Sequence, residues 1–435
     1  MMKSKMSLIV LGLFFSGAVA HAEEAVSTKE LQRQIDLLGQ EVQKLKIGGA
    51  AEALADQKQY GLGPAASKVY RAQSGFSLGG YGEILFESFR GGLNSDGTVQ
   101  GDRRFAPGSS FDASQGRNRI DLKRVILYAG YKFNDEWVMN SELEWEHGGS
   151  ELAVEFLYFD RFVSKEWNIR FGKVLMPVGL QNEVHEPTTY LGTHRTRVES
   201  LILPTTWSEY GAGVFGDVGD WTYRSFILTG MNASGFTALD GIREGRNETG
   251  FANATRFAWV GRMDYVGKPG WLAGGSLYFG SGTTQPVAGQ EIVSVPMKLL
   301  ELHLQGAYGP WEFQALVAYD QLGSVEKLNT LKGWTGKNSI GSEQGGAYAQ
   351  LGYECIKRAT DGASLVPFIR YELINTQMAV PVSFSKDPLS RFDVITAGIN
   401  YKPISQVVLK GDYDRFVIQD GKGVDQLNLS VGYVF

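Results

Sequence analysis

The chain of 435 residues has one cysteine, five histidines and no run of eighteen apolar residues after its first two dozen positions. Each shortage removes a class of protein. Cys355 alone cannot close an intrachain disulfide, and a lone cysteine on a strand reads as a small packed residue. Without a long apolar run there is no transmembrane helix, which excludes a helical inner-membrane protein. The histidines, at 21, 147, 185, 194 and 303, show no helical metal-ligand spacing. His185-Glu186 is followed by Pro187, which breaks the helix that a zinc-protease motif requires. There is no P-loop and no G-x-S-x-G, and Gly79-Gly80-Tyr81-Gly82 lies inside an alternating strand pattern. No cofactor, metal or enzymatic activity is expected. Positive charge is also in short supply. Forty-two Lys and Arg face 47 Asp and Glu, for a net charge of −5, which argues against nucleic acid as a partner.

What is present begins with an export signal. Lys3 and Lys5 precede an apolar core from Leu8 to Phe15, and Ala20-His21-Ala22 offers a cleavage site, so residues 1–22 are expected to be a signal peptide. Thr28, Leu31, Ile35, Leu38, Val42 and Leu45 follow the spacing of a coiled-coil seam. Residues 23–47 are therefore expected to form a short periplasmic helix, joined to partner chains or lying on a membrane rim. Residues 48–73 read as a Gly/Ala-rich linker broken by Gly61, Gly63 and Pro64. At the other end, Leu427, Leu429, Val431, Tyr433 and Phe435 alternate with Asn428, Ser430, Gly432 and Val434. A last strand of this kind ending on an aromatic residue resembles the assembly signal of bacterial outer-membrane barrels.

The interior of the chain repeats that alternation. Trp137, Met139, Ser141, Leu143 and Trp145 share one face of a candidate strand, while Val138, Asn140, Glu142, Glu144 and Glu146 share the other. Three carboxylates in a row fit neither a soluble core nor a lipid face, so they must look into water. Phe257, Trp259, Met263 and Tyr265 oppose Arg256, Arg262 and Asp264 in the same way, and Val407, Leu409 and Tyr413 oppose Lys410, Asp412 and Asp414. Aromatic residues recur at the ends of the apolar rows, where interfacial girdles belong. Sixteen such runs centre near residues 80, 127, 141, 156, 170, 213, 225, 261, 276, 303, 315, 351, 369, 398, 410 and 430. The fold expected is all-β: a sixteen-stranded antiparallel transmembrane β-barrel over residues 74–435, with the N-terminal periplasmic coiled-coil helix as an appendage. At that strand number the lumen is expected to be an aqueous channel that side chains do not fill. Short turns at 134–135, 309–310 and 402–405 alternate with long polar segments, the pattern of periplasmic turns and external loops.

The segment from Lys173 to Gly213 stands apart because it mixes charge with Leu191, Val198, Leu201, Ile202 and Leu203. A loop in water needs no such residues, whereas one folded inward against the wall does. Its candidate constriction residues are Glu183, His185, Glu186, His194, Arg195, Arg197 and Glu199, whose charges would act on a permeating ion in a confined space. Strand parity supplies candidate pore-wall residues: Arg124, Lys132, Glu142, Glu144, Arg170, Arg224, Arg256, Arg262, Asp264, Arg370 and Glu372.

With these stretches in view, the chain resembles the phosphate-selective porin O and P family. The likeness is carried by NRIDLKRVILYAGYKFNDEWVMNSELEWEHG, RFGKVLMPVGL, RVESLILPTTWSEYGAGVFG, VPFIRYELINT and the terminal NLSVGYVF. It implies a homotrimer in the Gram-negative outer membrane, embedded in outer-membrane lipid, that passes small hydrophilic solutes and often anions. It also implies a third external loop folded into the pore. The family's phosphate-selective members use lysines near the constriction, and this chain has none between Val174 and Glu209. The expected function is a porin for passive diffusion, phosphate being one candidate anion. The alternative is an interaction barrel that tethers the envelope through its coiled coil.

Overall fold

The computed structural model describes residues 60–90, 117–247, 251–358, 362–419 and 421–435. The expected signal peptide, coiled-coil helix and first part of the linker lie outside the described residues. Sixteen antiparallel strands follow one another around a closed barrel. They begin with β1 (Gly75–Arg90), β2 (Asn118–Lys132), β3 (Trp137–Glu146), β4 (Glu151–Phe162), β5 (Asn168–Leu175) and β6 (Ser208–Val218). Next come β7 (Trp221–Thr229), β8 (Phe257–Tyr265), β9 (Trp271–Thr283), β10 (Ser294–Tyr308) and β11 (Trp311–Leu322). The last are β12 (Glu343–Tyr353), β13 (Ala363–Ala379), β14 (Arg391–Ile404), β15 (Val407–Ile418) and β16 (Asp425–Val434). Two short pieces, Ile356–Arg358 and Gly421–Lys422, extend the sheet at its rims. Closure is made by β1 against β16, from Tyr81↔Val434 to Arg90↔Asp425. Each of the sixteen centres read from the sequence falls inside one of these strands.

Alternation does what the pleat requires of it. On β15, Leu409, Tyr413 and Val417 are exposed on the outer face, while Lys410, Asp412 and Asp414 are buried on the inner one. Ile84, Leu157, Ile227, Leu302, Ile369 and Leu429 extend the exposed apolar face around the circumference. Aromatic rings gather beside the short turns. Trp221 meets Tyr265 with ring centroids 5.2 Å apart, and Trp311 meets Tyr353 at 4.7 Å. A closed barrel with an apolar belt and an aromatic rim spans a membrane of the outer-membrane kind.

The interior departs from the expectation of an unfilled lumen. Inward-facing Tyr81, Ile126, Phe156, Tyr278, Leu299 and Glu372 are all buried. Part of what covers them is the β5–β6 connection, residues 176–207. Met176, Val178, Val198, Leu201, Ile202, Leu203 and Trp207 of this loop join one apolar cluster with Val260, Tyr278, Met297, Leu299 and Leu316 of the wall. Inward parity predicts polar side chains, but β8 to β11 also turn apolar side chains inward, and the loop buries itself against them.

Residues 60–73, read as linker, pack inside the barrel on the short-turn side. Leu62, Ala65, Ala66 and Val69 are buried, and α1 (Lys68–Arg71) lies against β1, β2 and β3. Cys355 is a further correction. It sits between the end of β12 and Ile356–Arg358 and is exposed, because the chain leaves the sheet there to turn.

Candidate functional site

Loop 176–207 crosses the bore and is tied to the wall on many sides. Near its start, the Gly179 carbonyl accepts a hydrogen bond from Arg262 of β8, and Glu183 lies 3.4 Å from Arg224 of β7 and 3.6 Å from Arg262. His185 contacts Glu142 of β3 at 3.1 Å through Nε2, while its Nδ1 faces the Asn182 carbonyl at 2.8 Å. Further along, the Gly192 N–H donates to Asn400 of β14 at 3.1 Å and the Thr193 N–H to Asp412 of β15 at 2.5 Å. His194 Nε2 is 3.0 Å from Glu87 of β1. One helical turn, α2 (Arg197–Leu201), follows. It is capped by Thr196, whose hydroxyl accepts from the Glu199 N–H at 3.2 Å. The Val198 N–H donates to Glu372 of β13 at 3.1 Å, and the Tyr348 hydroxyl of β12 donates to Glu199 at 2.7 Å. Glu199 also accepts the Leu180 and Gln181 N–H groups at 2.7 Å, which staples the two ends of the loop together.

Glu186 performs a different task. Its carboxylate accepts the N–H groups of Ala65 at 2.9 Å and Ala66 at 3.0 Å, so the loop holds the segment that plugs the inner mouth. The approach is close enough that a Cβ on Gly63 would lie 2.5 Å from Glu186 Oε1. Burial pushes the Glu186 carboxyl up to about 7, with the two backbone donors opposing it. Glu199 is raised to about 7 for the same reason, against the pull of the Tyr348 hydroxyl and the backbone donors.

The wall arginines are paired. Arg170 meets Asp160 at 2.8 Å and stacks over Tyr158 at 4.0 Å. Arg370 meets Glu372 at 3.0 Å, and Arg124 lies 3.4 Å from Glu146 and 3.8 Å from Glu144. Arg262 meets Asp264 at 2.8 Å. Two of the expected wall residues sit elsewhere. Lys132 is at the inner mouth, 3.2 Å from Asp135 of the turn, and Arg256 is exposed just ahead of β8. Arg197 is buried with its guanidinium 5.6 Å from the Phe416 ring. Arg195 stands outside these pairs: among the described residues no carboxylate lies within 4.0 Å of it, and its buried Nε and Nη2 have no hydrogen-bond partner.

Sequence reasoning passed over several members of this network. Glu301 and His303 of β10 lie 2.6 Å apart, and His303 reaches Asp264 at 2.9 Å. Their alternation with Leu300, Leu302 and Leu304 was the available signal. Glu87 and Asp160 could have been found by the same parity. Two cavities lie on the short-turn side. One, of about 490 Å³, is lined by Tyr60, Tyr70, Lys132 and Glu136; the other, of about 360 Å³, by Tyr60, Glu183, Arg224, Arg262 and Asp264.

No family model matches the chain. Over 389 residues it is 35% identical to an uncharacterised protein of Aquifex aeolicus (strain VF5), covering 86% of this chain and 83% of that one. Among solved structures it is similar to OmpF of Salmonella typhi in complex with daunomycin, with a TM-score of 0.53 and 12% identity over 83% of this chain and 98% of that one. A second similar structure is an anion-selective porin from Comamonas acidovorans, with a TM-score of 0.48 and 11% identity over 83% of this chain and 100% of that one. At such identities the likeness concerns the fold. The chain belongs to the same family as the Aquifex aeolicus protein, and its fold is that of the Gram-negative outer-membrane porins.

Proposed function

We propose that the chain is an outer-membrane porin, a homotrimer through which small hydrophilic solutes and ions diffuse passively. The observation that carries this reading is loop 176–207, a polar and charged element held inside a closed, lipid-facing barrel by bonds to the wall. In this role Glu183, His185, Glu186, His194, Arg195, Arg197 and Glu199 belong to the narrowest zone. The wall pairs Arg124–Glu144, Arg262–Asp264 and Arg370–Glu372 set a near-neutral field around it. Paired arginines present little net charge to a passing anion. Arg195 is then the residue that biases the pore toward anions, and phosphate is one of several anions admitted. The test is planar-bilayer recording of the purified protein under a potassium chloride gradient, with phosphate then added. The reading expects conductance steps grouped in threes, a weak preference for chloride and little block by phosphate. Folded barrels that carry no current would overturn it.

A further inference from the structure

We infer that the tip of loop 176–207 and the inner face of β15 form a binding site for a divalent transition-metal ion, with His194, Asp412 and Asp414 as ligands. One ring nitrogen of His194 and one oxygen from each aspartate lie within 4.8 Å of one another, and Asp412 and Asp414 are buried. Among the described residues neither aspartate has a lysine or arginine nitrogen within 4.0 Å. The nearby cations are engaged elsewhere: Arg370 pairs with Glu372 at 3.0 Å, and Lys410 donates to the Gly192 carbonyl at 2.7 Å. Neutral donors hold the two carboxylates, the Thr193 N–H on Asp412 at 2.5 Å and the Thr396 hydroxyl on Asp414 at 2.6 Å among them, and with no counter-charge in contact the pair presents a cation with two buried anions.

Two further features point to a metal. First, His194 Nε2 is 3.0 Å from Glu87, which is itself held by Arg119 at 2.5 Å. A carboxylate holding the far ring nitrogen fixes the tautomer and leaves the Nδ1 lone pair free for an ion, as in carboxylate–histidine–metal triads. The competitor for Nδ1 is the Thr193 hydroxyl at 3.0 Å, whose one proton is shared with Asp412 Oδ1 at 3.1 Å. Second, the fully buried Asn428 amide lies between the carboxylates, 2.8 Å from Asp412 and 3.2 Å from Asp414, and its Oδ1 has no hydrogen-bond partner. Turning the amide over would set Oδ1 against two carboxylates, an arrangement that a bound cation makes favourable by accepting it as a further ligand. Gln426 beside it also has an unpartnered Oε1.

One imidazole, two carboxylates and an amide oxygen suit zinc or manganese better than calcium, which prefers an all-oxygen shell. Ligand atoms around zinc stand roughly 3.3 Å apart, given bonds of about 2.0–2.1 Å. Side-chain rotation of His194 and Asp414 can supply the contraction from 4.8 Å. The ion would clamp the loop tip to the β1–β15 side of the barrel.

The full-length protein, stripped with a chelator in detergent, is titrated with Zn²⁺, Mn²⁺ and Ca²⁺ by calorimetry, and Co²⁺ is added to record visible ligand-field bands. One Zn²⁺ or Mn²⁺ per chain is expected, with at least a ten-fold loss of affinity and loss of the cobalt bands in His194→Ala and in Asp412→Asn/Asp414→Asn. His147→Ala is the control, because Glu146, His147 and Glu151 are the other place among the described residues where three such ligands meet; it should bind as the wild type does. Gel mobility before and after heating reports whether each barrel is folded. If the double aspartate variant fails to fold, His194→Gln carries the test alone. Absence of stoichiometric binding, unchanged binding in the His194 variants, or loss in His147→Ala instead, overturns the assignment.

Discussion

Reversing the charge at Arg195, the residue proposed to bias the pore toward anions, should shift the pore toward cations. A unit charge roughly 5 Å from a permeating ion in a water-like medium contributes about 0.8 kcal/mol. Arg195→Glu changes the charge by two, so the swing is about 1.7 kcal/mol before screening. Ions at 0.1 M, with a Debye length of about 10 Å, reduce it to about 1 kcal/mol. At 1.36 kcal/mol per decade this is about a five-fold change in the local population of either ion. The potassium-to-chloride permeability ratio should therefore rise at least about five-fold, read as a shift of the reversal potential under a ten-fold salt gradient. The size of the effect depends on Arg195 having no carboxylate within 4.0 Å among the described residues, so its charge is not cancelled before the ion arrives. Arg370→Gln provides the contrast. That charge is already paired with Glu372 at 3.0 Å, and its removal should affect folding more than selectivity. A ratio within a factor of about two of wild type for Arg195→Glu would refute both the placement of Arg195 in the ion path and the electrostatic reasoning.

Other outcomes follow from single contacts. Glu186→Ala removes the acceptor for the Ala65 and Ala66 N–H groups, so residues 60–72 should loosen, conductance should rise and protease should cut near Gly61 sooner. With its carboxyl raised from 4.5 to about 7 by burial, Glu186 supports the folded barrel most below pH 4.5 and loses that contribution as pH climbs through 7. The heating temperature of the gel shift should accordingly fall between pH 5 and pH 8 in the wild type and fall less in Glu186→Gln. Asp264→Ala leaves Arg224, Arg262 and His303 without their shared carboxylate and should destabilise the barrel by about 3–5 kcal/mol, seen as a lower heating temperature for the gel shift. Exposed Cys355 lies on the short-turn side, so a membrane-impermeant maleimide should label it in permeabilised cells and not in intact ones.

The strands were legible because lipid and interior impose a period of two that nothing else in the chain must satisfy. Trp137 to Glu146 shows this residue by residue. The inward loop was legible for a related reason, since Leu201, Ile202 and Leu203 had no place in water. Its bonding partners were not. Glu183 meets Arg224 and Arg262 across two strands that follow it in sequence, and His194 meets Glu87 more than a hundred residues earlier. Such pairings depend on where the loop turns inside the bore, which periodicity does not encode. The packing of residues 60–72 was hidden too, because Gly61, Gly63 and Pro64 have the composition of a spacer. What seats them is an acceptor, Glu186, that lies 121 residues away from Ala65. Arg256 shows the limit of parity, which assigns a face but not whether a strand has yet begun.

The adjoining loop residues Thr193 and His194 touch strands from opposite ends of the chain: Glu87 belongs to β1 and Asp412 to β15. Those strands come near each other only once β16 has closed the barrel against β1. Docking of the loop tip should therefore follow closure of the barrel, and a newly closed barrel should pass through a stage with its bore less obstructed than in the finished protein. Conductance recorded during reconstitution should fall with time as each loop seats.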